Sequence, residues 1–262
     1  MLQPKYYFPK QIIEQMNLEF TVELATADPN QLVMEQLKVA GDRVEARLHQ
    51  IDLDFSPFRY DSLVSKYQRG DRTPILESTD FQAVYGQAVL AEQMTDGIFT
   101  PYFAGRYDPT SLVKDWAIEQ CLDEYLKPLL KNPRIDGVSL SCDGEMRMAV
   151  RPNSDFRWEI NIVDPADSQT IMTTYYLKGG AVAISDNHKY SESTHNQVEQ
   201  VTVISNSLID ADIWATVGVS ASVEKFAEMI NEYHLSGLMI SKNSIPLDFN
   251  EGAIANVQEI RR

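Results

Sequence analysis

Six short apolar segments crowd the middle of this chain: Gly137–Ser141, Glu145–Val150, Trp158–Val163, Ile171–Leu177, Ala181–Ser185 and Glu199–Ser205. Turn residues separate them, so several read as short antiparallel strands. Helical patterns lie on both sides of the block. That order, helices, then strands, then helices and a last strand, favours a mixed α+β layered domain over a strictly alternating α/β one. The expected architecture is antiparallel sheets packed against helices.

The flanks are legible from periodicity. Glu19 to Ala25 alternates, with Phe20, Val22 and Leu24 on one side, as a half-buried strand does. Asp28-Pro29-Asn30 opens a long amphipathic helix to about Ile51, with Leu32, Val33, Leu37, Val44, Leu48 and Ile51 as its buried stripe. A polar segment, Asp54 to Ser62, precedes a helix from about Thr79 to Met94. After Asp108-Pro109-Thr110-Ser111, helical spacing at Leu112, Trp116, Leu122, Tyr125, Leu126 and Leu129 runs until Pro133 stops it. A helix from about Ile209, another from Ser222 to Tyr233 and a strand at Gly237–Ser241 close the chain. No repeat or linker divides it, so residues 1–262 are expected to form a single domain.

Charge and composition exclude several partners. A net charge of −15 argues against nucleic acid or an anionic membrane surface as the main partner. A local phosphate site survives that argument, because a bound cation supplies positive charge. Two cysteines, Cys121 and Cys142, are too few for a disulfide framework or a zinc site and read as core thiols. The segment Met1-Leu2-Gln3-Pro4-Lys5-Tyr6-Tyr7-Phe8-Pro9 has no apolar h-region and no lipoprotein-type cysteine. No run approaches the roughly 18 apolar residues that span a bilayer. The expected location is cytoplasmic.

None of GxGxxG, GxxxxGK[ST], HExxH or GxSxG occurs. The informative pieces are less common. In Ala211-Asp212-Ile213-Trp214-Ala215-Thr216, an Asp and a Thr four residues apart on a helix project from one face. They are either a helix cap with a core hydroxyl, or two oxygen ligands for a hard cation such as Mg²⁺. Phe55-Ser56-Pro57-Phe58-Arg59 with Asp61-Ser62 joins a turn, a base and small hydroxyls. Tyr107 to Glu119 places Lys114 near a helix entrance, where its charge and free backbone N–H groups can face a phosphate. Trp158 to Pro165 is a strand ended by an Asp-Pro turn, and Ala183-Ile184-Ser185-Asp186 closes another. Each has a plain structural alternative: Trp116 and Trp158 as core residues, Asp108-Pro109 and Asp164-Pro165 as turns, Arg59 as a surface ion pair.

Taken in order, these segments resemble the ApbE family, the FAD:protein FMN transferases. The family's "fSpyr.dS", "DPsG.vKGwAvD", "W.vgI.dP", "AvATSGdY" and "sVtVia…ADalaTal" have counterparts at Phe55–Ser62, Asp108–Glu119, Trp158–Pro165, Ala181–Asp186, and Val201–Ile204 with Ala211–Thr216. The resemblance implies one layered, T-fold-like domain that binds FAD. It makes Asp212 and Thr216 side-chain ligands of Mg²⁺, with a backbone carbonyl near Ser111 beside them. Lys114, Ser185, Asp186 and Trp116 would then contact FAD. The implied reaction moves FMN onto a Thr or Ser hydroxyl of an acceptor flavoprotein, with AMP leaving.

The chain also departs from the family. The "HilDPrTG" loop has no counterpart, and the short stretch between Ser185 and Val201 offers only His188 and His195 as catalytic candidates, neither followed by Asp-Pro. Ser141-Cys142-Asp143-Gly144 stands where the family has Gly-Gly, and Lys114-Asp115 where it has Lys-Gly, adding a carboxylate beside the pyrophosphate. Two further outcomes are therefore open: hydrolysis of FAD to FMN and AMP, or a degenerate member acting as a flavin-binding or interaction protein.

Overall fold

The computed structural model describes residues 5–187, 198–242 and 244–256. It divides into two compact units, Met1–Trp158 and Glu159–Arg262.

In the first unit, β1 (Lys10–Gln15) and β2 (Leu18–Thr26) form a hairpin. Its two turn residues, Met16 and Asn17, both take positive φ, the conformation that matches strand twist in a two-residue turn. β1 was not evident from sequence, because Ile13 is its one fully buried residue. Helix α1 (Gln31–Phe55) begins at Asn30, whose side chain accepts from the Val33 N–H, and runs a turn further than expected. Its stripe continues to Phe55, whereas Leu32 is exposed, one position off the Val33–Leu37–Val44 line. Two short helices, α2 (Leu63–Gln68) and α3 (Thr73–Glu77), follow the polar segment. Then α4 (Thr79–Met94) has the bounds expected from sequence and is capped by Ser78, whose side chain accepts from the Phe81 N–H.

A small hairpin of β3 (Tyr102–Phe103) and β4 (Arg106–Tyr107) leads into α5 (Thr110–Cys121). The single helix expected up to Pro133 instead widens into a π turn at Leu122–Leu126 and tightens into a 3-10 turn at Lys127–Lys131. Pro128 is the cause: it has no N–H to donate and its ring crowds the carbonyl four residues earlier. Strands β5 (Ile135–Cys142) and β6 (Glu145–Val150) finish the unit, in the order β1-β2-β5-β6 with antiparallel pairing from β1 to β6.

The second unit opens with a paired ribbon, β7 (Trp158–Asp164) and β8 (Asp167–Leu177). Next come β9 (Gly179–Asp186), β10 (Val198–Ser205), α6 (Leu208–Ser220), α7 (Val223–Glu232), β11 (Ser236–Ser241), β12 (Leu247–Asn250) and β13 (Ala253–Asn256). Strand order is β9-β10-β11-β12-β13, antiparallel throughout. Ile162, Leu238 and Ile240 form a core cluster, with Tyr175 and Ile184 packed on it. Helix α6 lies on β9 and β10 and is apolar almost all round, which is why it is buried. The α+β class with antiparallel sheets stands. No helix among the described residues is long and apolar enough to cross a membrane.

Candidate functional site

In the second unit the site begins with the start of α6. Ser207 caps the helix, its hydroxyl accepting from the Asp210 N–H at 3.2 Å. Asp212 is therefore no cap: it stands a turn inside, and only 7% of its surface is exposed. Among the described residues no hydrogen bond or ion pair engages its carboxylate. A buried charge needs a compensating partner, and a metal ion is one that a carboxylate can take. One turn on, Thr216 is half-buried, and its Oγ1 lies 3.2 Å from Ser185 Oγ near the end of β9. Ser185 pairs with Val201 across the β9–β10 ladder, and that register brings its hydroxyl under α6. Asp186 follows, half-buried.

Asp212 and Thr216 offer hard oxygen donors and no sulfur or imidazole. Among the described residues no group of three His, Cys, Asp or Glu could hold a metal. The oxygen donors of Asp212 and Thr216 are of the kind that Mg²⁺ takes, an ion that keeps several waters and uses one or two protein carboxylates.

In the first unit α5 carries Ser111, exposed in its first turn, then Lys114, Asp115 and Trp116. Lys114 is only 9% exposed, and its Nζ lies 2.6 Å from Glu145 Oε2 and 3.6 Å from Asp115 Oδ1. Asp115 is 1% exposed. The ammonium is thus held inside by carboxylates. Nearby Cys142 registers the same field: burial pushes its thiol up to about 12, the Lys114 charge opposes that, and Glu145, Asp143 and Asp115 reinforce it. Glu145 follows a two-residue turn in which Asp143 and Gly144 both have positive φ, closing the β5–β6 hairpin.

Trp116 packs in the core, its ring 5.7 Å from that of Phe55 with the Arg47 guanidinium 5.5 Å from its centre. Trp158 likewise packs edge-on against Phe156. Arg59 pairs with Asp61 at 3.8 Å on the surface, and Asp164 accepts from the Ala166 N–H in an ordinary turn. Both cysteines are free and buried. His188 and His195 lie outside the described residues.

Sequence reasoning found Asp212, Thr216 and Ser185 separately but missed the contact between the last two, which are 31 residues apart. It also missed Glu145, read only as the start of a strand.

The ApbE family model matches residues 106–239, just over half of the chain, a stretch that holds α5, β9 and α6. Among solved structures the chain is similar to the flavin transferase ApbE from Vibrio cholerae, at 15% identity over 98% of this chain and 99% of that one, with a TM-score of 0.65. It is also similar to the flavinyl transferase ApbE of Pseudomonas stutzeri, at 14% identity over 95% and 97%, with a TM-score of 0.68. The ApbE protein of Thermotoga maritima gives 14% identity over 98% of each chain and the same TM-score. None of the curated proteins matches the sequence. At such identities the structural likeness is one of fold, and the family match supplies the rest: this chain belongs to the ApbE family.

Proposed function

We propose that the chain is a Mg²⁺-dependent flavin transferase that takes FAD, attaches FMN to a Thr or Ser hydroxyl of a protein acceptor and releases AMP. The observation that carries the reading is Asp212: a buried carboxylate with no partner among the described residues, one helical turn from a threonine hydroxyl. Two of the structures with the same fold are flavin transferases, which supplies the substrate class. In the proposed reaction the acceptor oxygen bonds to the phosphorus of the FMN half and the pyrophosphate P–O bond to AMP breaks. Bound Mg²⁺ would offset the charge that develops on the leaving AMP. Asp212 and Thr216 would hold it, the carboxylate supplying charge and the hydroxyl a neutral oxygen. His188 and His195 are the candidates to take the acceptor's proton.

One observation favours a second reading, a member that binds flavin without transferring it. Lys114, the phosphate ligand by resemblance, already has its ammonium against Glu145 and Asp115. A single assay separates the readings. The protein is incubated with FAD and a hydroxyl-bearing acceptor peptide, with and without Mg²⁺, and AMP, free FMN and flavinyl-peptide are measured. Flavinyl-peptide with AMP supports transfer, FMN and AMP alone indicate hydrolysis, and bound but unreacted FAD supports the second reading. Asp212→Ala should abolish the Mg²⁺-dependent product. Undiminished product refutes the metal assignment.

A further inference from the structure

We infer that Ser185 is a positioning residue for the cation site: it accepts the hydrogen of the Thr216 hydroxyl and so presents a Thr216 lone pair to the ion. The inference rests on the reading that Asp212 and Thr216 hold Mg²⁺.

A hydroxyl has one hydrogen and two lone pairs. In the 3.2 Å contact between Ser185 Oγ and Thr216 Oγ1, either oxygen can donate. A cation on Thr216 removes that freedom, because the coordinating lone pair turns the hydrogen away and the ion makes it a better donor. A threonine inside a helix also has a competing acceptor, the carbonyl four residues earlier, here that of Asp212. Ser185 draws the hydrogen away from that carbonyl and fixes the rotation of the Thr216 oxygen. Backbone geometry holds Ser185 there, since its residue is locked in the β9–β10 ladder opposite Val201.

The test is direct measurement of Mg²⁺ dissociation constants by calorimetry, with FAD absent and present, and with no turnover required. Groups that orient metal ligands typically weaken binding when removed, by at least about tenfold. Ser185→Ala should therefore weaken Mg²⁺ binding about tenfold, while Ser185→Thr, which keeps the acceptor oxygen at a strand position, should stay near wild type. In a Thr216→Val background, Ser185→Ala should have no further effect. Wild-type affinity in Ser185→Ala, equal weakness in Ser185→Thr, or additive losses with Thr216→Val would overturn the inference. Asp212→Ala is the separate control. If it binds Mg²⁺ like wild type, or if the wild-type protein takes up no Mg²⁺ under either condition, the metal reading itself fails.

Discussion

Replacing Lys114 by Met tests whether this side chain is a structural pin or a free phosphate ligand. The change keeps most of the volume and removes the ammonium from beside two buried carboxylates, 2.6 Å away in Glu145 and 3.6 Å in Asp115. At an effective dielectric constant of about 20, each attraction is on the order of 5 kcal/mol before desolvation. Desolvation of the ions cancels much of that, and breaking a buried pair by removing one partner costs about 3–5 kcal/mol. For a chain of this size that lowers the melting temperature by about 6–20 °C. Glu145→Gln should cost less, about 1–3 kcal/mol, because Asp115 still faces the ammonium and the amide fills the same space. In the double variant the losses should be less than additive, since both residues act in one contact. Urea unfolding followed by tryptophan fluorescence measures all three. A loss under about 1 kcal/mol in Lys114→Met, or Glu145→Gln costing the more of the two, refutes the pin.

Two further outcomes can be checked on the same protein. Burial is the main cause that holds both thiols at about 12 rather than their ordinary 9.0, so a disulfide reagent at pH 8 should label neither cysteine in the native protein and both in urea. The sign follows from proton counting: above about pH 9 unfolded thiols lose protons that the native ones keep, so this contribution to stability is full below pH 9 and is lost as pH rises towards 12. Labelling of the native thiols at the denatured rate would refute it. Gly237 has φ +155°, and a Cβ there would lie 1.9 Å from the Thr202 carbonyl oxygen, so Gly237→Ala should destabilise by about 3 kcal/mol or more by forcing β10 and β11 apart. Gly144→Ala meets no atom within 4 Å and should cost only about 1 kcal/mol for its positive φ. Thermal melts showing the reverse order would contradict this packing.

The fold was legible where side chains carry a period. The α1 stripe and the alternation in β2 are written in apolar spacing, and turn residues mark the ends of the β5–β6 hairpin. The elements missed are those too short or too sparsely apolar to show a period: β1 with one fully buried residue, α2 and α3 with one or two turns, β3 and β4 with two residues each, and β12 and β13 with four residues each. The break after α5 needed Pro128 to be weighed against a helical pattern that continues past it. At the site, residue types and order were readable because they recur as motifs. Contacts were not, because Ser185–Thr216 depends on how α6 lies on β9, and Lys114–Glu145 on how α5 meets the start of β6.

That difference decides how the two charged candidates should be treated. Lys114 and Asp212 are buried to nearly the same extent, at 9% and 7% exposure, and both lie in the stretch that the family model matches. A buried charge must be compensated, and the two differ in where compensation comes from. For Lys114 it is internal, supplied by Glu145 and Asp115, so the folded chain already satisfies this side chain. For Asp212 no partner exists among the described residues, and on the proposed reading a cation sharing the Thr216 hydroxyl would supply the compensating charge. A motif states which residue stands at a position, whereas the groups facing it decide whether its charge is still available for ligand. By that criterion the proposed cation site on α6 is the stronger of the two proposals, and Lys114→Met and Asp212→Ala, measured side by side for stability and for Mg²⁺ binding, separate a structural charge from a ligand-binding one.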